Sequence, residues 1–298
     1  MNRQNEAKTI LVTGATGKQG GATARRLLAR GFRVRAFTRK PEQPAAVALV
    51  AAGAEVVKGD MDDRASVERA LAGAYGVFAI QNFWEAGYDR EIREGTSLAE
   101  AAQAAGIQHF VYSSVGSAHR QTGLAHFESK IRIERRIQEL GLPHTIFRPV
   151  FFMENWEGPY LKPALLDGTL ALPLNGDVNF QQVTVEDVGA FVTLAFEHRE
   201  QWLGRAVDLA GDERSIGEVA EVFGRVIGRE VVYRQMPWDE YRKAAGDEYH
   251  DMFRWFQDVG YDADIPALRG EYPQLTDFEG WLRRAGWENA ALAGAAAG

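Results

Sequence analysis

Along the first half of the chain one pattern repeats. A short apolar run rich in β-branched residues gives way to an amphipathic, alanine-rich stretch. That stretch stops at a glycine, and a new apolar run begins. The runs are TILVT (9–13), RVRAFT (33–38), AEVVKG (54–59), GVFAI (76–80), HFVYSS (109–114) and HTIFRP (144–149). They are apolar on both faces, as strands covered by helices above and below must be. The intervening Gly31, Gly53, Gly73, Gly106 and Gly141 fall where a helix C-terminus takes a left-handed residue. Strand, helix and glycine, recurring in that order, predict right-handed βαβ crossovers and a doubly wound parallel sheet of the α/β class. A helical bundle with glycine linkers fits poorly, because TILVT and HTIFRP carry β-branched residues without a helical period.

From about residue 150 the pattern loosens. PALLDGTLALPLNGDVNF has two turn signals, D-G and N-G. TVEDVGAFVTLAFEH reads as a helix entered through Thr184. Ser215 with Glu218, and Thr276 with Glu279, read as capping boxes opening two further helices. RAVDLA and EVVYRQ read as short strands. The expected organisation is a Rossmann-type domain over 1–150 and a smaller α+β lobe over 151–290. The boundary is soft, since the lobe is expected to lend strands to the sheet. The ending AALAGAAAG is low in complexity, and 291–298 reads as a disordered tail.

Composition narrows the function classes. With 46% hydrophobic and 25% charged residues in 298, the chain is ordinary globular material, not fibrous or disordered. A net charge of −7 repels polyphosphate, so no direct nucleic-acid partner is expected. The absence of cysteine removes disulfides, thiolate catalysis and thiolate metal sites together. His109, His119, His144, His198 and His250 have no ligand spacing, so no metal is expected. MNRQNEAK lacks an apolar signal region, and no apolar run of about 18 residues occurs. The expectation is a cytoplasmic protein with no membrane contact. ERRIQEL reads as a solvated helix face, and Trp202, Trp238, Trp255, Trp281 and Trp287 as packing residues. Paired-carboxylate hydrolysis finds no support.

LVTGATGKQGG leaves the first strand and enters the first helix. Gly14 can make the tight turn, Gly17 lets backbone N–H groups approach a pyrophosphate, and Gly20 lets the helix pack close to the sheet. The helix N-terminus then faces the phosphates with its partial positive charge. The spacing is GxxGxxG, and its place at the first strand–helix junction favours dinucleotide binding over a purely structural turn. At the end of the second strand an NAD site carries an acid. Here no acid lies between Gly31 and Pro41, and Arg39 and Lys40 stand there instead. A guanidinium fork suits a 2′-phosphate, so the cofactor read here is NADP(H); two solvated cations are the alternative. After the third strand, Asp60 can meet an adenine edge with Met61 on the ring. Otherwise Asp60 caps the next helix, a role better suited to Asp63.

VTGATGKQGG, TRKP, GAEVVKGDMDD, QNFWE, HFVYSS, HFESK, FRPVFFMENW and VTVEDVG occur in order over about residues 8–200. Together they resemble the NmrA-like family of atypical short-chain dehydrogenase/reductases, and within it the NADPH-sensor branch related to HSCARG. WFQDVGYDADIPALR and TDFEGWL extend the likeness. The resemblance implies that the turn of Gly14, Ala15, Thr16, Gly17, Lys18, Gln19 and Gly20 holds the pyrophosphate. It implies Gln81, Asn82 and Phe83 along the ribose and nicotinamide, and Lys130 at the nicotinamide ribose. It puts Phe152, Glu154 and Asn155 over the nicotinamide end.

In HFESK, His126 and Lys130 are one helical turn apart. The hydride-transferring majority of the superfamily carries a Tyr four residues before the Lys, as general acid–base. Here that position is His126. Imidazole titrates near neutrality, but it is shorter than a phenol, and the ammonium nearby disfavours its protonated form. Cofactor shaping, proton relay or an inert solvated ring are the three readings, in that order. Ser113 and Ser114 could bind a carbonyl. The first expectation is therefore an NADP(H)-binding redox sensor with a regulatory protein partner. A reductase of quinones or small conjugated carbonyls comes next, and an assembly platform last. No oligomeric state is indicated.

Overall fold

The computed structural model describes residue 5 and residues 8–288, so the tail expected at 291–298 lies outside the described part. The chain forms two compact units. One comprises Met1–Pro149 with Val185–Asp208, the other Val150–Thr184 with Leu209–Gly298.

The first unit is built on the repeating pattern. Its strands are β1 (Thr9–Val12), β2 (Arg33–Thr38), β3 (Glu55–Lys58), β4 (Gly76–Ala79), β5 (His109–Ser113) and β6 (His144–Pro149). They run parallel in the order β6-β5-β4-β1-β2-β3. A seventh strand, Ala206–Leu209, joins the β6 edge. Ile146 N donates to the Arg205 carbonyl and Val150 N to that of Leu209, the offset of a parallel neighbour. Most of this strand lies in the segment Val185–Asp208, which belongs to the first unit although it follows residue 150. Helices α1 (Lys18–Ala29), α2 (Pro44–Ala51), α3 (Arg64–Leu71), α4 (Phe83–Ala86), α5 (Tyr88–Ala104) and α6 (Ala125–Glu139) connect the strands. Gly31, Gly53, Gly73, Gly106 and Gly141 all take positive φ, as the pattern required.

Two close approaches fix the helical layers. A Cβ on Gly189, in helix Val185–Glu197, would lie 3.2 Å from the Thr23 Cα of α1. A Cβ on Gly95 would lie 2.5 Å from the Ile133 side chain, so α5 and α6 pack at short range. Leu11, Val77, Ala79, Phe110 and Tyr112 form the core between sheet and helices.

In the second unit, Asn179–Val183 pairs with Phe151–Phe152 in parallel and with Asp212–Ser215 antiparallel. Thr169–Leu172 pairs with Val232–Gln235. Its core is aromatic: the Phe223 ring lies 5.7 Å from Trp156 and 5.2 Å from Phe278. The capping box of Ser215 and Glu218 is present. The second one is not. Helix Phe278–Arg284 is capped by Asp277, whose side chain accepts from Gly280 N at 2.7 Å. Thr276 instead receives the Arg284 guanidinium at 2.7 Å. Asp277 stands at the N-cap position itself, one residue nearer the helix, and its carboxylate takes the N–H.

Candidate functional site

In the strand order, direction of winding reverses between β1 and β4, and ligands of such sheets bind at the carboxyl ends there. Thr13 stitches that point together. Its hydroxyl donates to the Ile80 carbonyl at 2.9 Å and accepts from Ile80 N at 2.8 Å. From this anchor the chain turns through Gly14, at φ +59°, and enters α1 through Gly17. Gly17 N donates to the Gly14 carbonyl at 2.9 Å. A Cβ on Gly20 would lie 2.2 Å from that same Gly14 carbonyl oxygen. Gly20 is thus demanded by the tightness of the turn, rather than by approach of the helix to the sheet as the spacing suggested. No side chain caps α1, and its first turn has no acidic residue. A helix start of this kind favours an anion. Ala15 is buried, Thr16 half-buried, and Gly17 and Lys18 are exposed. Gln19 points elsewhere: its amide donates to Ser113 Oγ at 2.6 Å and ties α1 to the end of β5.

At the end of β2, Arg39 and Lys40 are both exposed. Arg39 is paired, its guanidinium 2.8 Å from Glu85 on α4. After β3, Asp63 caps α3 by accepting from Ala65 N at 3.1 Å, which leaves Asp60 free of that duty. Asp60 lies near Arg90, whose Nε holds Asp62 at 3.0 Å and Glu94 at 2.9 Å. Burial raises the Glu94 carboxyl above its usual range despite Arg90. Met61 receives the Gln81 amide, at 3.9 Å from its sulfur. Asn82 caps α4, accepting from Trp84 N at 3.2 Å. Two buried oxygens at this edge, Gln81 Oε1 and Ser114 Oγ, have no protein partner.

The HFESK turn proves to be embedded. His126 is only 6% exposed. The rings of Phe127, Trp84 and Phe83 stand 4.5, 5.4 and 5.7 Å from it, so the solvated reading is excluded. Lys130 does not extend freely either. Its ammonium is 2.7 Å from Glu91, whose side chain is fully buried on α5. The other Glu91 oxygen accepts the Ser129 hydroxyl. Glu91 had no place in the sequence reading. Its signal was position: Glu91, Gly95, Leu98 and Ala102 follow the helical stripe that faces the core.

A second buried pair lies further along α6. Glu134, within ERRIQEL, is 1% exposed and takes both Arg148 Nη2 and Nε, at 2.6 and 2.9 Å. The solvated reading of that segment holds for the exposed Arg135, Gln138 and Glu139, but not for Glu134 and Ile137, which are buried. Arg148 also reaches His119 at 2.9 Å and Asp208 at 3.6 Å. Asp208 accepts from Ser117 N at 2.6 Å, which holds Ser117 at φ +61°. The loop between β5 and α6 is thus pinned by buried charge. Tyr112, fully buried beneath both pairs, has its phenol pushed well above the usual value by burial, and by Glu91 and Glu134.

Phe152, Glu154 and Asn155 belong to the second unit. There Phe152 is half-buried opposite Val183, Glu154 is buried, and Asn155 is exposed on a short 3₁₀ turn, Met153–Glu157. Of the tryptophans read as packing residues, Trp202, Trp281 and Trp287 are buried, while Trp238 and Trp255 are half-buried. Among the described residues the one convergence of metal-ligand types is Asp60, Asp62 and Glu94, which Arg90 already bridges. No described helix is long and apolar enough to cross a membrane.

Comparison with known proteins follows the same outline. The structure resembles that of NmrA, a negative transcriptional regulator solved with NADP, at TM-score 0.78 and 23% identity over 97% of this chain and 98% of the other. It resembles the NADPH-dependent quinone oxidoreductase QOR2 of Escherichia coli, solved with NADPH, at TM-score 0.80 and 22% identity over 93% and 99%. At such identities these likenesses speak to the fold. In sequence, the oxidoreductase FrzB of Cladobotryum sp. is 30% identical over 292 residues, covering 87% of each chain. The NmrA-like family pattern matches residues 6–282, nearly the whole length, and the chain is a member of that family.

Proposed function

We propose that this protein binds NADP(H) at the carboxyl ends of β1 and β4 and acts as a regulator that responds to cofactor occupancy. The residues fit such a group. The uncapped, acid-free start of α1 and the turn from Gly14 to Gly20 suit a pyrophosphate. Arg39 and Lys40 suit the 2′-phosphate, Asp60 and Met61 the adenine, and Gln81, Asn82 and Phe83 the ribose and nicotinamide. The unpartnered Gln81 Oε1 and Ser114 Oγ are buried acceptors that a ligand donor would satisfy. Lys130 would serve the nicotinamide ribose.

One observation carries the regulatory reading. The residue in the place of the superfamily's acid–base Tyr is His126, and three aromatic rings enclose it. Bound nicotinamide supplies a hydride, but general acid catalysis also needs a donor within reach of the substrate oxygen. A regulator needs only that its two states bind the cofactor differently. The sensor-type branch that the motifs resemble agrees with this.

A second reading is favoured by the relatives: FrzB is an oxidoreductase, and QOR2 an NADPH-dependent quinone oxidoreductase. A quinone or conjugated carbonyl can take its proton from water after hydride arrives, without His126. The test is to follow NADPH absorbance with the pure protein and a panel of quinones, enones and aldehydes. The regulatory account expects no consumption above the protein-free rate, and sustained turnover of any acceptor would establish the reductase instead.

A further inference from the structure

Arg39 is not idle. Its guanidinium nitrogen lies 2.8 Å from Glu85 Oε2, with the two side chains 53% and 62% exposed. The pair has a particular place in the fold. Arg39 follows β2 and Glu85 follows β4, and those strands flank β1 on either side. The ion pair therefore links the two strands across the end of β1, where the glycine turn departs. Glu85 also shares a short helical turn with Phe83 and Trp84, whose rings rest against His126 at 5.7 and 5.4 Å.

Resting on the reading of Arg39 as the 2′-phosphate anchor, we propose that Glu85 is a specificity-determining residue. It competes with the 2′-phosphate for the Arg39 guanidinium. A phosphate dianion accepts a guanidinium fork more strongly than a carboxylate held at one nitrogen. A ribose 2′-hydroxyl offers no such competition. NADP(H) therefore displaces Glu85, and NAD(H) leaves it in place. The exposed pair is weak enough to break on binding. Its cost is charged to the phosphorylated nucleotide alone, so Glu85 narrows the preference that Arg39 creates.

The test is titration calorimetry of NADP⁺ and NAD⁺ at one ionic strength, with the full chain and the variants Glu85→Gln, Arg39→Ala and the double variant. Glu85→Gln keeps the shape and removes the charge, and an unchanged melting temperature certifies its fold. The expected result is NADP⁺ binding about two- to fivefold tighter in Glu85→Gln, with NAD⁺ unchanged. The gain should vanish in the Arg39→Ala background. An unaltered NADP⁺-to-NAD⁺ ratio in Glu85→Gln overturns the proposal, and so does an equal gain with Arg39 absent. If Arg39→Ala alone leaves the ratio unchanged, the phosphate anchor itself is wrong. If Arg39→Ala lowers the ratio but Glu85→Gln does nothing, only the role of Glu85 falls.

Discussion

The pair of Lys130 and Glu91 offers the sharpest energetic prediction. Lys130 is 13% exposed and Glu91 not at all, with 2.7 Å between ammonium and carboxylate. Replacing Lys130 by Met keeps the length and the aliphatic stem but strands a buried carboxylate. Removing one partner of such a pair costs about 3–5 kcal/mol. The Ser129 hydroxyl still donates to Glu91, so the lower end, about 3 kcal/mol, is expected. For a unit of this size that is a fall of about 6–12 °C in melting temperature. Glu91→Gln should cost less, about 1–2 kcal/mol, because the freed ammonium can turn toward solvent. The double variant leaves no stranded charge. It should be more stable than Lys130→Met, and the double-mutant cycle should give a coupling of about 2 kcal/mol. The assay is denaturant unfolding followed by circular dichroism at neutral pH. Additive costs, or a Lys130→Met variant within about 1 kcal/mol of the parent, would refute the reasoning, because two independent surface residues behave that way.

Other expectations are independent of that pair. Gly20→Ala places a Cβ 2.2 Å from the Gly14 carbonyl, so the turn must open; the variant should lose about 1–3 kcal/mol of stability and bind NADP⁺ at least tenfold more weakly. His109, fully buried beside Thr145, has its pKa lowered by burial to about 3. Because the unfolded ring protonates first, stability is intact above about pH 6.5 and declines toward pH 3, with about 2 kcal/mol gone at pH 5. Urea unfolding across that range should show the slope, and His109→Gln should flatten it. Asp277→Ala should cost about 1 kcal/mol through loss of its cap, more than Thr276→Ser does, in thermal melts of the pair.

The parts of the fold set by local chemistry were legible. Strand runs, left-handed glycines and the glycine-rich turn each depend on neighbours in sequence, and each has the expected form. Pairings between distant segments were not. Nothing in RAVDLA distinguishes a strand of the lobe from the seventh strand of the sheet, since both demand the same alternation. Gly20 was read as a helix–sheet contact because spacing cannot say which backbone atom comes nearest. In the candidate site, Glu91 and Glu134 look like ordinary surface acids until their stripe is traced. Each lies on the face of its helix that carries Leu98 or Ile131, and a carboxylate there needs a cation. Arg39 was legible as a cation at the end of β2, but its partner, 46 residues later, was not. Charge complementarity on a surface leaves no sequence period to read.

The central claim is that backbone N–H groups of the α1 start and the Arg39 guanidinium grip one nucleotide together. Calorimetric titration of the unmodified protein with NADP⁺ and NAD⁺ tests it most directly. The account predicts saturable binding of both at one site per chain, with NADP⁺ the tighter ligand. No heat of binding from either nucleotide, or tighter binding of NAD⁺, would contradict it.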